Sequence, residues 1–512
     1  MDVLFINPGN ADKIYQDLSK NYSAIEPPTW ALLLAESCRS VGKQVSILDA
    51  NAERLSVEES FERIKTINPR LICFVVYGQN VNAGTVNMSG AVALSKYIKS
   101  QNYTVPIAYI GSYVQALPKK VLFEEKSIDI VFTNEGVYAL RNLLSKDIID
   151  INNLDDIKGI GWRKTGFPIL NPPEMVVPQE KLDVELPGYA WDLLPYKEKP
   201  FDLYRSPMWH AEYDQDKRSP YAAIQTSIGC KFGCNFCMIN IINRNDNSEI
   251  GVASDYSLMR YWSPEFIIKE FDKLVKMGVE TIRIVDEMFL LNKKYYVPLC
   301  TMLKERGYGK FLRMWAYSRI DTVANPELLS LVRQAGIKWL CLGIESGDRN
   351  VRLEVSKGKF QDVDIHKVVQ QIHDADIHIM ANYIFGLPGD TYESMQKTLD
   401  LSKELCTIGW NAYPAMALPG SKLYKEAIEK GIPIPKTYEG FSFHSYDTLP
   451  LATDTLTAAQ ILKFRDSAFD EYHSHKPFID RIENKFGNIA VNNIDEMLKI
   501  KLKRKLVEES TI

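Results

Sequence analysis

Over its first 150 positions the chain alternates two patterns. Short continuous apolar runs of strand length stand at Val3–Asn7, Val45–Asp49, Leu71–Tyr77, Ile107–Gly111 and Ile128–Thr133. Between them, Trp30–Val41, Val57–Ile67, Ser89–Ser100 and Pro118–Glu125 space their apolar residues at helical intervals. Strands that alternate with helices predict a parallel, doubly wound sheet. A weakly patterned, proline-rich stretch follows over 151–220, with a short pair of strands expected at Ile157–Arg163 and Pro168–Leu170. Six further runs then recur at Ala222–Thr226, Thr281–Val285, Leu312–Tyr317, Trp339–Ile344, His378–Phe385 and Asn411–Met416. The helices expected between them are Pro264–Met277, Lys293–Arg306, Pro326–Ala335, Ile365–Ala375 and Tyr392–Leu405. Beyond the break at Gly431–Pro435, Ala458–His475 and Ile494–Glu508 read as helices. The expected fold class is α/β: a Rossmann-like domain over 1–150, a connector over 151–220, a six-unit core over 221–430 and a small, mostly helical region over 431–512.

Composition narrows this little. A chain of 512 residues with 46% hydrophobic and 25% charged residues is ordinary for a multi-domain globular protein. The net charge of −4 implies no general attraction to nucleic acid or anionic membrane. No apolar run reaches membrane-spanning length, and MDVLFINPGN lacks the layout of a signal peptide. A cytoplasmic location is therefore expected. All seven histidines lie at or beyond His210, which excludes imidazole ligands from the first 209 residues.

Of eight cysteines, three cluster, as Cys230, Cys234 and Cys237 in YAAIQTSIGCKFGCNFCMIN. The other five stand singly in apolar segments, as core cysteines do. Gly229 and Gly233 let the backbone fold tightly around the first two clustered thiols. Three thiolates on one short loop can meet one face of an iron–sulfur cube. Such cubes usually take four cysteines, so three leave one iron open to a ligand that is not protein. A structural zinc site would want four ligands, commonly as two pairs, and the sequence offers no second pair.

CKFGCNFC resembles the C-x3-C-x-aromatic-C signature of the radical S-adenosylmethionine (SAM) enzymes, with Phe236 as the aromatic. The resemblance implies a [4Fe–4S] cluster held by Cys230, Cys234 and Cys237, with its open iron chelated by SAM. It also implies a partial (β/α)6 barrel, reductive cleavage of SAM to a 5′-deoxyadenosyl radical, and an electron donor such as flavodoxin or ferredoxin. VDEMF, GIESG and FGLPGDT are similar to core motifs of that family. Chemistry in such barrels lies at the carboxyl ends of the strands. For SAM, a zwitterion with a ribose, Asp286 and Glu287 suit the ammonium, Arg319 and Ser318 the carboxylate, and Glu345 the ribose. Phe236 and Asn382 complete the implied SAM site. The alternative for Arg319 is a structural salt bridge to Asp321 or Glu345.

The first domain is similar to the cobalamin-binding domain that precedes many radical SAM cores. The likeness rests on the Asn7-Pro8 pair, on YIGSYVQALPKKVL and on TNEGVYAL. It implies Pro8, Gly78, Gln79, Gly111, Ser112, Glu135 and Gly136 as cobalamin-binding positions. Singly, glycine and asparagine end strands because turns need them. The sequence also departs from the family: Ile110-Gly111 replaces a Gly-Gly pair, and Asn134-Glu135-Gly136-Val137 a Gly-Glu-Gly-Glu run. With no histidine before His210, the D-x-H-x-x-G lower-ligand motif is impossible here. In the tail, Phe441, Phe443, His444 and Tyr446 could approach a substrate by analogy with cobalamin-dependent members.

The expected function is cobalamin-dependent radical SAM methylation of an unactivated carbon in a small molecule. An oxidative cyclase or rearrangement enzyme with the same cofactors is the alternative. A tRNA methylthiotransferase fits less well, for want of a second three-cysteine set and of a basic RNA-binding module. An electron-transfer or cluster-storage protein would have no use for polar groups at four strand ends.

Overall fold

The computed structural model describes residues 1–9, 11–78, 81–323, 325–354 and 361–510. Seven strands build the first sheet: β1 (Val3–Asn7), β2 (Val45–Asp49), β3 (Ile72–Val75), β4 (Ile107–Ile110), β5 (Ile130–Phe132), β6 (Ile160–Lys164) and β7 (Phe167–Leu170). Their order is β2-β1-β3-β4-β5-β6-β7, with the first five parallel. The winding reverses between β1 and β3, and the crevice beyond the carboxyl ends there is where such sheets take ligands. β6 joins antiparallel to β5, and β7 antiparallel to β6. The sheet thus continues past residue 150, into the stretch read as a connector.

The core comprises β8 (Tyr221–Ile224), a small ladder of β9 (Ser227–Gly229) and β10 (Met259–Tyr261), then β11 (Thr281–Ile284), β12 (Arg313–Arg319), β13 (Ile337–Glu345), β14 (His378–Phe385) and β15 (Gly409–Pro414). Six of these run parallel in the order β15-β14-β13-β12-β11-β8, and β8 does not pair with β15. This is a partial barrel. Amphipathic helices cover its outside, among them Pro264–Lys276, capped by the Ser263 hydroxyl, and Tyr392–Leu405, closed by a Thr391–Ser394 capping box. Aromatic rings plug its amino-terminal end: Trp209 packs on Trp315 at 5.0 Å and on Trp339 at 5.1 Å, and Phe486 stacks against Trp339 at 6.3 Å.

Two buried ion pairs fasten sheet to barrel. Arg283 on β11 takes both oxygens of Glu26, at 2.8 and 2.6 Å, while Tyr221 donates to the same carboxylate. Arg260 on β10 meets Glu135 at 2.7 Å.

The tail differs from expectation. Helices span Lys476–Phe486 and Asn488–Lys499, and a short one Lys505–Glu509, in place of one helix over Ile494–Glu508. The break has a cause at Arg504, whose guanidinium is drawn inward to the carbonyls of Phe443 and Ser445, the Thr448 hydroxyl and both oxygens of Asp466. Satisfying a buried guanidinium outweighs continuing the helix. No described helix is long and apolar enough to cross a membrane.

Candidate functional site

The three clustered cysteines follow β9 at the carboxyl end of β8, where barrel enzymes place their chemistry. Gly229 leads into Cys230 with φ +81°, and a β-carbon there would stand 2.1 Å from the Leu258 carbonyl. Only glycine fits. Gly233 is less constrained, since a β-carbon would meet Ser254 at 3.2 Å. Asn240 pins the loop from inside, accepting from Cys230 N at 2.8 Å and donating to Phe232 O at 3.1 Å. Phe236 and Cys234 pack on the apolar set of Val351, Ile384, Leu387 and Ala415, which seats the loop on the barrel.

Each sulfur is met by an N–H donor. Phe232 N lies 3.5 Å from Cys230, Arg319 Nη1 4.0 Å from Cys234, and Ile239 N 3.4 Å from Cys237. Burial pushes the Cys230 and Cys234 thiols up to about 12 and raises Cys237 as well. Ionising three neighbouring buried thiols requires a cationic partner, as a metal centre provides. Among the described residues no three His, Cys, Asp or Glu side chains converge on one ion position. A cube asks for a different arrangement, because each thiolate takes a separate iron. The donor set fits such a cluster.

The strand-end residues divide. Asp286 is not open to an ammonium: its oxygens accept from Thr226 N, Thr226 Oγ1 and Ser227 Oγ, each at 2.6 Å. Its task is to hold the segment that leads into the cysteine loop. Arg319 makes the structural pair with Asp321, at 2.6 Å through both Nε and Nη2. Its plane also stacks on Phe232 at 3.8 Å, and the remaining nitrogen turns to Cys234. Ser318 stands on the opposite face of β12, its hydroxyl 2.9 Å from Thr322 Oγ1. It therefore does not share an anion with the Arg319 side chain. Asn382 donates to its own strand, at Met380 O.

Glu287 and Glu345 remain available. Glu287 Oε1 is buried without a hydrogen-bond partner among the described residues. Burial pushes its carboxyl up to about 7, with Arg283 opposing. Glu345 ends β13 at φ +66°, on a register shift against β14, and folds back over Gly343, where a β-carbon would meet its Oε1 at 2.6 Å. It too is pushed up to about 7 by burial, against the pull of Arg319. A non-glycine residue held in the left-handed region at a strand end marks a place where function sets the backbone.

In the first domain, Ser112 Oγ, Thr85 Oγ1 and Gln115 Oε1 are buried and without a hydrogen-bond partner among the described residues, around the carboxyl end of β4. A β-carbon on Gly84 would fall 2.2 Å from Ser112 Oγ, and one on Gly111 2.4 Å from Val76 O. Orphaned polar atoms beside close-packed glycines fit a site that receives a polar ligand. Pro8 is buried at the end of β1, and Gly78 is exposed beyond β3. Gln79 lies outside the described residues. Glu135 is committed elsewhere: it accepts from Val177 N and pairs with Arg260, because a buried carboxylate needs a partner and the barrel supplies one. Gly136, at φ +79°, opens the helix Val137–Leu144 and serves the turn.

Several contributors have no short-range signal in the sequence, namely Thr226, Ser227, Asn240, Glu26 and Arg283. Another is Asn82, in a turn just beyond β3, which reaches Met238 and Cys237 across the domain boundary. At the barrel mouth His444 lies 5.4 Å from Tyr15, and Phe443 4.7 Å from Tyr413. Phe441 instead lines a separate cavity of about 580 Å³ with Tyr113 and Tyr438, and Tyr446 points outward to Glu508.

Residues 224–402 match the family model described as the radical SAM superfamily. The chain is 25% identical over 486 residues to an uncharacterized methyltransferase of Pyrococcus horikoshii, covering 93% of this chain and 94% of that protein. It is 24% identical over 497 residues to the anaerobic magnesium-protoporphyrin IX monomethyl ester cyclase of Rubrivivax gelatinosus, covering 94% and 78%. Among solved structures it superposes with TM-score 0.61 at 16% identity on the radical SAM methyltransferase TsrM of Kitasatospora setae, solved with cobalamin and a [4Fe–4S] cluster. That match covers 84% of this chain and 78% of TsrM, and it speaks for the fold.

Proposed function

We propose that the chain, whose residues 224–402 match the radical SAM superfamily, is a cobalamin-dependent radical SAM enzyme that methylates an unactivated carbon of a small molecule. The observation that carries this reading is the meeting of two strand ends. The turn beyond β3 touches the cysteine loop through Asn82, so ligands at the two carboxyl edges would face one space. Two cofactors that act in turn on one substrate atom need that apposition.

Cys230, Cys234 and Cys237 would hold the cluster, and the first domain around Ser112, Thr85 and Gln115 would hold cobalamin. When bound, these groups supply reductive cleavage of SAM and a transferable methyl group. The chain's own part is positional. Asp286 fixes the approach to the cysteine loop through Thr226 and Ser227. Glu287 would accept from the SAM ammonium and Glu345 from the ribose hydroxyls. Arg319, neutralised by Asp321, would keep a donor turned toward the cluster. Tyr15 packed on His444 and the buried Glu26–Arg283 pair would help to keep out water, which would otherwise compete for reactive species. The electron would come from a flavodoxin or ferredoxin in the cytoplasm.

Anaerobically reconstituted protein, incubated with methyl-labelled SAM and candidate substrate pools, should yield 5′-deoxyadenosine, S-adenosylhomocysteine and a labelled product. The similarity to a porphyrin-ester cyclase over 94% of the chain supports a second reading, oxidative cyclisation with the same cofactors. Deoxyadenosine with an unlabelled, oxidised product would favour it. Zinc in place of iron and sulfide at the cysteines would refute both.

A further inference from the structure

Asn82 stands on the short turn Val81–Ala83, between β3 and the helix Gly84–Ser100 of the first domain. Its side chain crosses to the barrel. The backbone N–H of Met238 donates to Asn82 Oδ1 at 2.8 Å. That donor needs an oxygen, which settles the orientation of the amide and turns its NH2 group toward Cys237, with Nδ2 3.6 Å from Sγ. Cys237 thus receives two donors, Ile239 N from its own loop and Asn82 from the other domain. Among the described residues, the sulfurs of Cys230 and Cys234 have no donor from the first domain.

We infer that Asn82 is a positioning residue that sets the reduction potential of the cluster from the neighbouring domain, an inference that rests on the three cysteines holding a cluster. One-electron reduction adds a negative charge spread over iron, sulfide and thiolate sulfur. An N–H donor aimed at a ligand sulfur gains more from the reduced form than from the oxidised one, so it raises the potential. In a water-poor site the effect is larger than on a surface. The amide also splints the loop through Met238, and the two roles can be separated. Asn82→Asp keeps an oxygen for Met238 N and replaces the N–H donor with a charged oxygen. Asn82→Ala removes donor and acceptor without adding charge.

The test is a dithionite titration of the reconstituted, full-length protein, followed by the EPR signal of the reduced cluster, with iron and sulfide counted in each sample. Asn82→Asp should load as the unsubstituted protein does and become half-reduced at a more negative potential. Asn82→Ala should shift the same way by less. A fully loaded Asn82→Asp protein with an unmoved potential would overturn the inference while leaving the cluster intact. Failure of both variants to load, with melting temperatures unchanged, would overturn it in favour of a purely structural splint. If the unsubstituted protein itself carries no iron and sulfide, the cluster assignment fails, and that result is distinct from the others.

Discussion

Cys230, Cys234 and Cys237 each have an N–H donor directed at the sulfur. Replacing any of the three by serine should abolish cluster loading, read as loss of iron and sulfide from anaerobically purified protein. Cys300 and Cys341 are buried among apolar side chains, and their replacement by alanine should leave loading unchanged. Glu287 makes a sharper case. Its buried Oε1 has no hydrogen-bond partner among the described residues, and such a group is retained where a ligand completes it. Glu287→Gln should weaken SAM binding by roughly 10–100-fold, the value of one charge-assisted hydrogen bond, measured by anaerobic equilibrium binding. Asp286→Asn should act differently, lowering cluster retention, because its partners lie in the approach to the loop.

The cysteine loop is built on one obligatory glycine. Gly229→Ala would set a β-carbon against the Leu258 backbone carbonyl, just ahead of β10 and held by Asn243 Nδ2, and it would do so at a positive φ. Its cost is about 1–3 kcal/mol, seen as a lower unfolding midpoint and poor cluster loading. Gly233→Ala should be tolerated, since the neighbouring Ser254 side chain has only to give slightly. The periodicities placed most long elements within two residues of their ends, and Val57–Ile67, His378–Phe385 and Tyr392–Leu405 coincide with the observed bounds. They failed at the last helix. There the pattern continued, but Arg504 found five acceptor atoms on four residues in the tail, and a one-dimensional period carries no record of that competition.

At the scale of the molecule, sheet and barrel are joined through charges that neither could bury alone. Glu26→Ala would leave Arg283 buried and unpaired, which costs about 3–5 kcal/mol, measured by denaturant titration. Glu26→Leu with Arg283→Met should restore much of that stability, since a buried pair adds little over apolar packing of similar volume. Acid should loosen the whole fold. Burial holds His210 and His444 down to about 3, and His373, His378 and His473 to about 4. Unfolded histidine titrates near 6.5. Between those values the unfolded chain binds more protons, so the stability these residues contribute is complete above about pH 6.5 and is lost as pH falls toward 4. Asp49, pushed up to about 6, and Glu287 and Glu345, up to about 7, act in the opposite sense. Burial raises Glu270, Asp286 and Asp390 as well, but all five histidines take up their protons in the unfolded chain between pH 7.5 and 5, and the anaerobic urea midpoint should be lower at pH 5 than at pH 7.5. By itself the sequence determined the order of strands and helices, the trio of thiols and the strand ends around them, because these follow from local period and spacing. Only the tertiary structure decided which polar residues are spent on holding the protein together. Asp286, Arg319 and Glu135 are claimed by neighbours, while Glu287 and Glu345 are left over and Asn82 is recruited from another domain. A buried charge takes whichever partner docking brings within reach, and that choice is written in three dimensions.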